Sequence, residues 1–394
     1  MQASAVARQR QLRSFILAWL GITLLMGALT FAGIYYATGL INNGGGSGGD
    51  SDASVLPLVE LDGDAADSAR QAATPVPSPT PRGGAAPAQP AAPTEVEAIS
   101  EDFQLGIQVQ PNADPEVYRI WMGEVRDKLK LNWIKQQIRW EDVEPQPGQY
   151  DWSMLDVTLA LADEYDIKVM ASVLDTPDWA REPGANLNKE GPPADPQVFA
   201  NFLTTLLTRY AGQIHAVEVW NEMNIDREWA SIQGLSARNY VTLLTAARDA
   251  IKAVDEDIIV ISGALSPTGV NDGIGAYDDF VYMDMLIQAG VLNVADCVGV
   301  HHNGYNIGPN VPWNSVPNDP NAVFRGPFNN PHHSWSFYST LNGYAQKIQQ
   351  AGSELKLCVT EFGWAVSEDL AGTPQNFEFA RDNTLQEQAQ FTDE

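Results

Sequence analysis

Two glutamates in this 394-residue chain stand where paired carboxylate chemistry needs them. Glu222 follows the run Ala216-Val217-Glu218-Val219-Trp220-Asn221, and Glu361 follows Leu357-Cys358-Val359-Thr360. Each run is short, apolar and β-branched, so each glutamate is expected at the C-terminal end of a strand. At a sequence separation of 139, only a fold that gathers strand ends can bring them together. Hydrolysis of a glycosidic bond is one chemistry that needs such a pair: one carboxyl protonates the leaving oxygen, and the other attacks the anomeric carbon or activates water against it.

The elements that would position them alternate. Strands are expected near Phe103–Gln110, Trp133–Trp140, Ile167–Leu174, Ile214–Trp220, Ile258–Gly263, Cys297–His301 and Leu355–Thr360. Amphipathic helices lie between them. One opens at Asp195-Pro196 and carries Phe199, Phe202, Leu203, Leu206 and Tyr210; another, with Ser236 as N-cap, carries Tyr240, Leu243, Leu244, Ala247 and Ile251. Repeated βα units make a parallel sheet, here an α/β fold of the (β/α)8 TIM-barrel type over residues 101–394, whose active sites lie at strand C-termini. An eighth strand is missing from the pattern, so the barrel reads as truncated after strand seven. Its sheet would then keep two open edges.

The strand-end motifs resemble those of clan A glycoside hydrolases, in particular the cellulase-like members near families 5 and 39. Asn221-Glu222 is similar to that clan's asparagine and acid/base at the end of strand four, and Glu361 to its nucleophile at the end of strand seven. Arg139-Trp140-Glu141-Asp142-Val143-Glu144-Pro145, with Gly148, Tyr150 and Trp152 beyond, is similar to the region after strand two, and Thr176-Pro177-Asp178-Trp179 to a segment after strand three. Met223 stands where proline is frequent, and Tyr305 falls two places later than the tyrosine expected after His301. The resemblance implies a retaining mechanism, with Arg139 holding Glu361 ionised, Asn221 on the sugar 2-hydroxyl, and His301 and Tyr305 near the substrate. Among the eleven tryptophans, Trp179, Trp313, Trp335 and Trp364 fall in expected loops. Trp179 and Trp364 are candidates for stacking on the apolar faces of sugar rings.

The rest of the chain bounds location and partners. Residues 1–14 form a basic tail with Arg8, Arg10 and Arg13, and residues 15–41 are uncharged for 27 positions. That run exceeds what a helix needs to cross roughly 30 Å of hydrocarbon, and the arginines orient it with the N-terminus in the cytoplasm. A cleaved signal peptide usually has a shorter apolar core, and no clear A-x-A site follows here. The expectation is a single-pass signal anchor, with residues 42–100 a disordered Gly/Pro/Ala-rich linker and the catalytic domain outside the cell.

The net charge of −27 sits mostly in residues 101–394, which makes nucleic acid an unfit partner; a neutral poly- or oligosaccharide suits it. Neither cofactor, metal nor obligate protein partner is called for. The pairs His301-His302 and His332-His333 are each expected to diverge, as neighbours on a strand do, and Cys297 and Cys358 to be buried free thiols on opposite sheet faces. A transglycosylase on the same scaffold, or a tethered carbohydrate-binding protein without turnover, are the alternatives. Two opposed carboxylates weigh against the second.

Overall fold

The computed structural model describes residues 103–110, 112, 114–316, 332–368, 370–373 and 377–394. The basic tail, apolar run and linker expected over residues 1–100 lie outside the described residues. Among the described residues, no helix is long and apolar enough to cross a membrane.

Seven strands are found among the described residues: β1 Gly106–Gln108, β2 Trp133–Arg139, β3 Lys168–Leu174, β4 Ala216–Val219, β5 Ile259–Ser262, β6 Val298–Gly304 and β7 Leu357–Trp364. β1 to β5 pair in chain order, every pair parallel, and β6 pairs with β7, also parallel. Bridges from Ile261 to Cys297 and from Leu265 to Val300 join β5 to β6. Between the strands run α1 Pro115–Gly123, α2 Trp140–Val143, α3 Ser153–Glu164, α4 Pro196–Arg209, α5 Ala237–Val254, α6 Asp279–Ala289 and α7 Phe337–Gln350, and α8 Leu385–Asp393 follows β7. This is the (β/α) barrel-type order expected. β1 is exposed along its length and β7 half-buried along most of its length, the two outer strands of the series.

Local chemistry explains the helix boundaries. Asp195 accepts a bond from the Gln197 amide with Pro196 in the first turn, and Ser236 accepts from Asn239; each side chain satisfies an amide that the helix leaves unpaired. The covered face of α4 is Phe199, Phe202, Leu203 and Leu206, none more than 1 % exposed. Truncating Phe202 to alanine there would cost about 3–5 kcal/mol.

Strand alternation divides the sheet into two faces. Ile134, Val169, Val217, Val260 and Val298 point out against the helices in the main core. Pointing in, Trp133, Met170, Ala216, Ile261, Cys297 and Cys358 form a separate apolar layer. Two residues further along β2, β3 and β4 the same face carries Lys135, Ser172 and Glu218, all buried. The barrel interior therefore turns from apolar to charged within one step toward the strand C-termini.

The two cysteines correct the expectation of free thiols. Cys297 and Cys358 are disulfide-bonded, with Cα atoms 5.9 Å apart. Alternation fixes faces within a strand, but the register between strands decides which residues of neighbours share a face. Cys358 pairs with Gly299, so Cys297, two residues earlier, lies on the same side.

Candidate active site

The chain turns sharply after β4. Trp220 (φ 76°) and Glu222 (φ 38°) both occupy the left-handed region on either side of Asn221. Non-glycine residues there cost of order 1–3 kcal/mol each and persist only where surrounding contacts hold them. The Trp220 indole N–H donates to the Glu228 carbonyl at 2.9 Å, and its ring meets Trp229 edge-on at 5.4 Å. The Glu222 amide donates to the Ala264 carbonyl at 2.9 Å. Tyr240, wholly buried on α5, donates to the Val219 carbonyl (3.0 Å) and accepts from the Gly263 amide (2.6 Å), pinning the ends of β4 and β5 together.

A bulge does the corresponding work on β7. Val300 pairs with Val359 but His301 pairs with Glu361, so Thr360 is an extra residue in the ladder. An inserted residue lets two successive side chains escape strict alternation. Both Thr360 and Glu361 reach the charged interior: Thr360 Oγ1 donates to Glu218 Oε1 at 2.6 Å, and Glu361 Oε1 accepts from Lys135 Nζ at 2.9 Å.

His301 stands between the two candidate carboxylates. Its Nδ1 lies 3.3 Å from Glu222 Oε1, and its Nε2 lies 3.7 Å from both Glu361 Oε1 and Glu218 Oε1. The ring is fully buried. Burial alone would push its pKa down, but the Glu222 hydrogen bond and the charges of Glu218 and Glu361 hold it above the ordinary histidine value. For Glu222, burial pushes upward, while the His301 bond and the Arg227 guanidinium 2.9 Å from Oε2 pull further and leave the carboxyl below its usual value. The two directions describe one arrangement, in which a proton shared by His301 and Glu222 rests on the imidazole.

Several residues expected near substrate are used elsewhere. Arg139 does not meet Glu361; its guanidinium lies 3.1 Å from Asp175 and also pairs with Glu141, Asp142 and Glu190. It sits four residues beyond Lys135 on β2, past the layer that Glu361 enters, and the cation at Glu361 is Lys135. Trp179 donates to the Glu144 carbonyl and packs edge-on against Trp140. Trp364 is buried, with its N–H on the Ile307 carbonyl and its ring against Phe337 and Phe391, so it offers no open face to a sugar. A side chain on Gly304 would strike that indole at 2.2 Å, which is why the strand approaches it through a glycine. Tyr305 is half-buried against Phe379, and burial pushes its phenol up to about 12. Asn221 donates to Glu228 Oε2 at 3.3 Å, and its buried Oδ1 has no partner.

The histidine pairs behave differently from one another. His301 faces the carboxylates and His302 the opposite side, where its Nε2 meets the Ser334 carbonyl, as alternation demands. His332 and His333 instead converge, with ring centroids 4.0 Å apart, because they enter a 3-10 turn rather than a strand. Ligating atoms of Asp278, His332 and His333 lie within 4.8 Å of one another, as do those of Glu141, Asp175 and Glu190. In the first trio, His332 Nδ1 accepts from the Ser334 amide, which leaves the Nε2 proton for Asp278 at 2.9 Å. His333 Nε2 bonds the buried Asp279, which also accepts from Tyr344 at 2.6 Å. These bonds fasten the start of α6 to the segment before α7.

Lys135, Glu218, Thr360 and Arg227 were not anticipated. For the first two a signal was present: a lysine and a glutamate at inward positions of apolar strands are charges that the fold must pair.

Residues 121–251 match the family profile described as Glycosyl hydrolase family 10. That stretch, about a third of the chain, is similar to the glycoside hydrolases of that family. The matched stretch runs from α1 into α5 and includes Glu222 but not Glu361. Comparison with curated proteins finds no match. Among solved structures, a family 39 glycoside hydrolase from Bacteroides cellulosilyticus WH2 is similar at 19% identity and a TM-score of 0.46, covering 66% of this chain and 49% of that one. A monomeric beta-xylosidase from Caulobacter crescentus CB15 is similar at 20% identity and a TM-score of 0.46, with coverage of 66% and 52%. Xylanase 10B from Thermotoga maritima is similar at 18% identity and a TM-score of 0.44, with coverage of 69% and 73%. The aligned part of this chain spans about half the length of the first two.

Proposed function

We propose that this chain is a glycoside hydrolase that cleaves β-linked poly- or oligosaccharides by double displacement, with Glu361 as nucleophile and Glu222 as acid/base. The observation that carries the assignment is their convergence: two carboxylates from the ends of β4 and β7 share one buried imidazole, and only Glu361 is paired with a buried lysine. In the first step Glu361 bonds to the anomeric carbon as the bond to the leaving oxygen breaks, and Glu222 supplies the proton that oxygen needs. That proton rests on His301 beforehand and crosses their hydrogen bond to Glu222 as the leaving oxygen takes it, so Glu222 ends the step ionised and the imidazole neutral. In the second step Glu222, now a base, takes a proton from water as it attacks the anomeric carbon and releases Glu361. Asn221, with its free buried Oδ1, is suited to receive the sugar 2-hydroxyl.

Rescue by azide separates the two roles in the full-length protein, with aryl β-xylosides, β-glucosides and β-mannosides as a substrate panel. Glu361→Ala should lose turnover and yield, with azide, a glycosyl azide of inverted configuration. Glu222→Ala should slow poor leaving groups most and yield a retained azide. Exchanged configurations would reverse the roles, and an inverted first product from the wild type would overturn double displacement.

The location belongs to the same proposal. Residues 15–41 hold the enzyme in the membrane, N-terminus inside, and the sugar-cleaving domain lies outside the cell. The oxidised Cys297–Cys358 pair supports this, since disulfides persist in oxidising compartments. Protease added to intact cells should release the activity; protection of the domain would refute export.

A further inference from the structure

We propose that Lys135 is the positioning residue of the nucleophile: its ammonium holds Glu361 Oε1 and leaves Oε2 as the attacking oxygen. The inference rests on Glu361 being the nucleophile and adds to it which oxygen attacks and what holds the other. Lys135 Nζ lies 2.9 Å from Glu361 Oε1 and 3.0 Å from Glu218 Oε2. Lys135 is 3 % exposed and Glu218 fully buried. An ammonium in such a place is costly unless paired, and here two carboxylates from β4 and β7 face it.

The groups that face Glu361 are few. From β2 comes Lys135, from β4 Glu218, and from β6 His301, whose Nδ1 carries the link to Glu222. Glu218 is itself fixed by Thr360, the bulge residue next to Glu361, so the lysine is clamped between two rigid acceptors. Oε1 is thus the oxygen occupied by protein. Oε2 is the one free to form the bond to the anomeric carbon while the leaving oxygen departs with the Glu222 proton. Glu218 touches neither sugar nor reacting atom in this account; it neutralises and orients Lys135.

The probe is the 2,4-dinitrophenyl 2-deoxy-2-fluoro-β-glycoside of whichever panel sugar the wild type turns over. It should label Glu361 of the full-length enzyme, and the readout is the split between its limiting labelling rate and its half-saturating concentration. In Lys135→Met the limiting rate should fall about tenfold or more, as expected when an attacking group is no longer held in place, while the half-saturating concentration stays within about twofold. Lys135→Arg should restore the rate more closely than methionine does. Should Lys135→Met fail to fold, the double variant Lys135→Met/Glu218→Gln, which buries no unpaired charge, is compared with Glu218→Gln and should show the same fall in limiting rate. Labelling at Glu361 with the limiting rate unchanged across these variants would overturn the role of Lys135. Wild-type labelling at another residue would instead overturn the nucleophile assignment, and the lysine's role with it.

Discussion

Breaking the Cys297–Cys358 bond should weaken the fold while sparing the chemistry. The cysteines are 61 residues apart in sequence. On the chain-entropy model, closing a loop of that length removes disorder from the unfolded chain worth about 4 kcal/mol at 25 °C. For a domain of this size each kcal/mol moves the midpoint by roughly 2 °C, so loss of the bond should lower Tm by roughly 6–10 °C. The bond lies in the apolar layer beneath Lys135 and Glu218, so it touches neither candidate carboxylate. Thermal scans of the full-length protein with and without reductant, and of Cys297→Ala/Cys358→Ala, measure the shift. Titration of the denatured, unreduced protein should find no free thiol. Two free thiols, or a reductant-insensitive Tm, would refute the disulfide. A fall in kcat/KM well below the melting range would refute its separation from the site.

Three further outcomes follow from the charges. If the proton used for leaving-group departure rests on the His301–Glu222 pair, the basic limb of kcat/KM lies above the ordinary histidine pKa; in His301→Asn it should fall toward the carboxylate range, and an unmoved limb would remove His301 from proton supply. Arg227→Ala should raise the Glu222 pKa, only slightly because the arginine side chain is 67% exposed, and less still in high salt; a change independent of salt would argue against a charge effect. Burial and the Glu190 charge push Asp175 up to about 8 against the pull of Arg139. The native state then binds more protons than the unfolded one between the ordinary carboxylate value and about 8, so stability falls as pH rises through that window. Asp175→Asn should therefore gain on the wild type in Tm as pH increases, and a flat difference would show that Asp175 is ionised throughout.

Much of the fold was legible because periodicity reports which face of an element is covered. The apolar stripe of α4 and the caps Asp195 and Ser236 were readable, and each expected strand overlaps an observed one. What failed needed relations between strands. Whether Cys297 and Cys358 share a face depends on the β6–β7 register, which no single-strand pattern contains. The convergence of His332 and His333 depends on a 3-10 turn that alternation does not describe. The resemblance to the clan's strand-two arginine placed Arg139 at Glu361, yet a long side chain at a strand end goes to the strongest field within reach. Here that is the acidic cluster of Glu141, Asp175 and Glu190.

The same reasoning shows why the cation at Glu361 comes from within β2 and not from its end. Without the bulge, alternation would turn only one of Thr360 and Glu361 inward. The extra residue delivers both, the hydroxyl to Glu218 and the carboxylate to Lys135. A cation at the strand end would meet bulk water and be screened; one in the layer between the disulfide and His301 is not. Counting the groups at the centre, Glu218, Glu222 and Glu361 face Lys135, Arg227 and a His301 held above its ordinary pKa. The ensemble is neutral when His301 carries its proton, and that is also the state in which a proton stands ready for the leaving group. Forming the glycosyl ester removes the Glu361 charge, and donation to the leaving oxygen removes the proton, so the balance is kept through the step. A site built this way needs no rearrangement of charge from outside to complete the first half of the reaction.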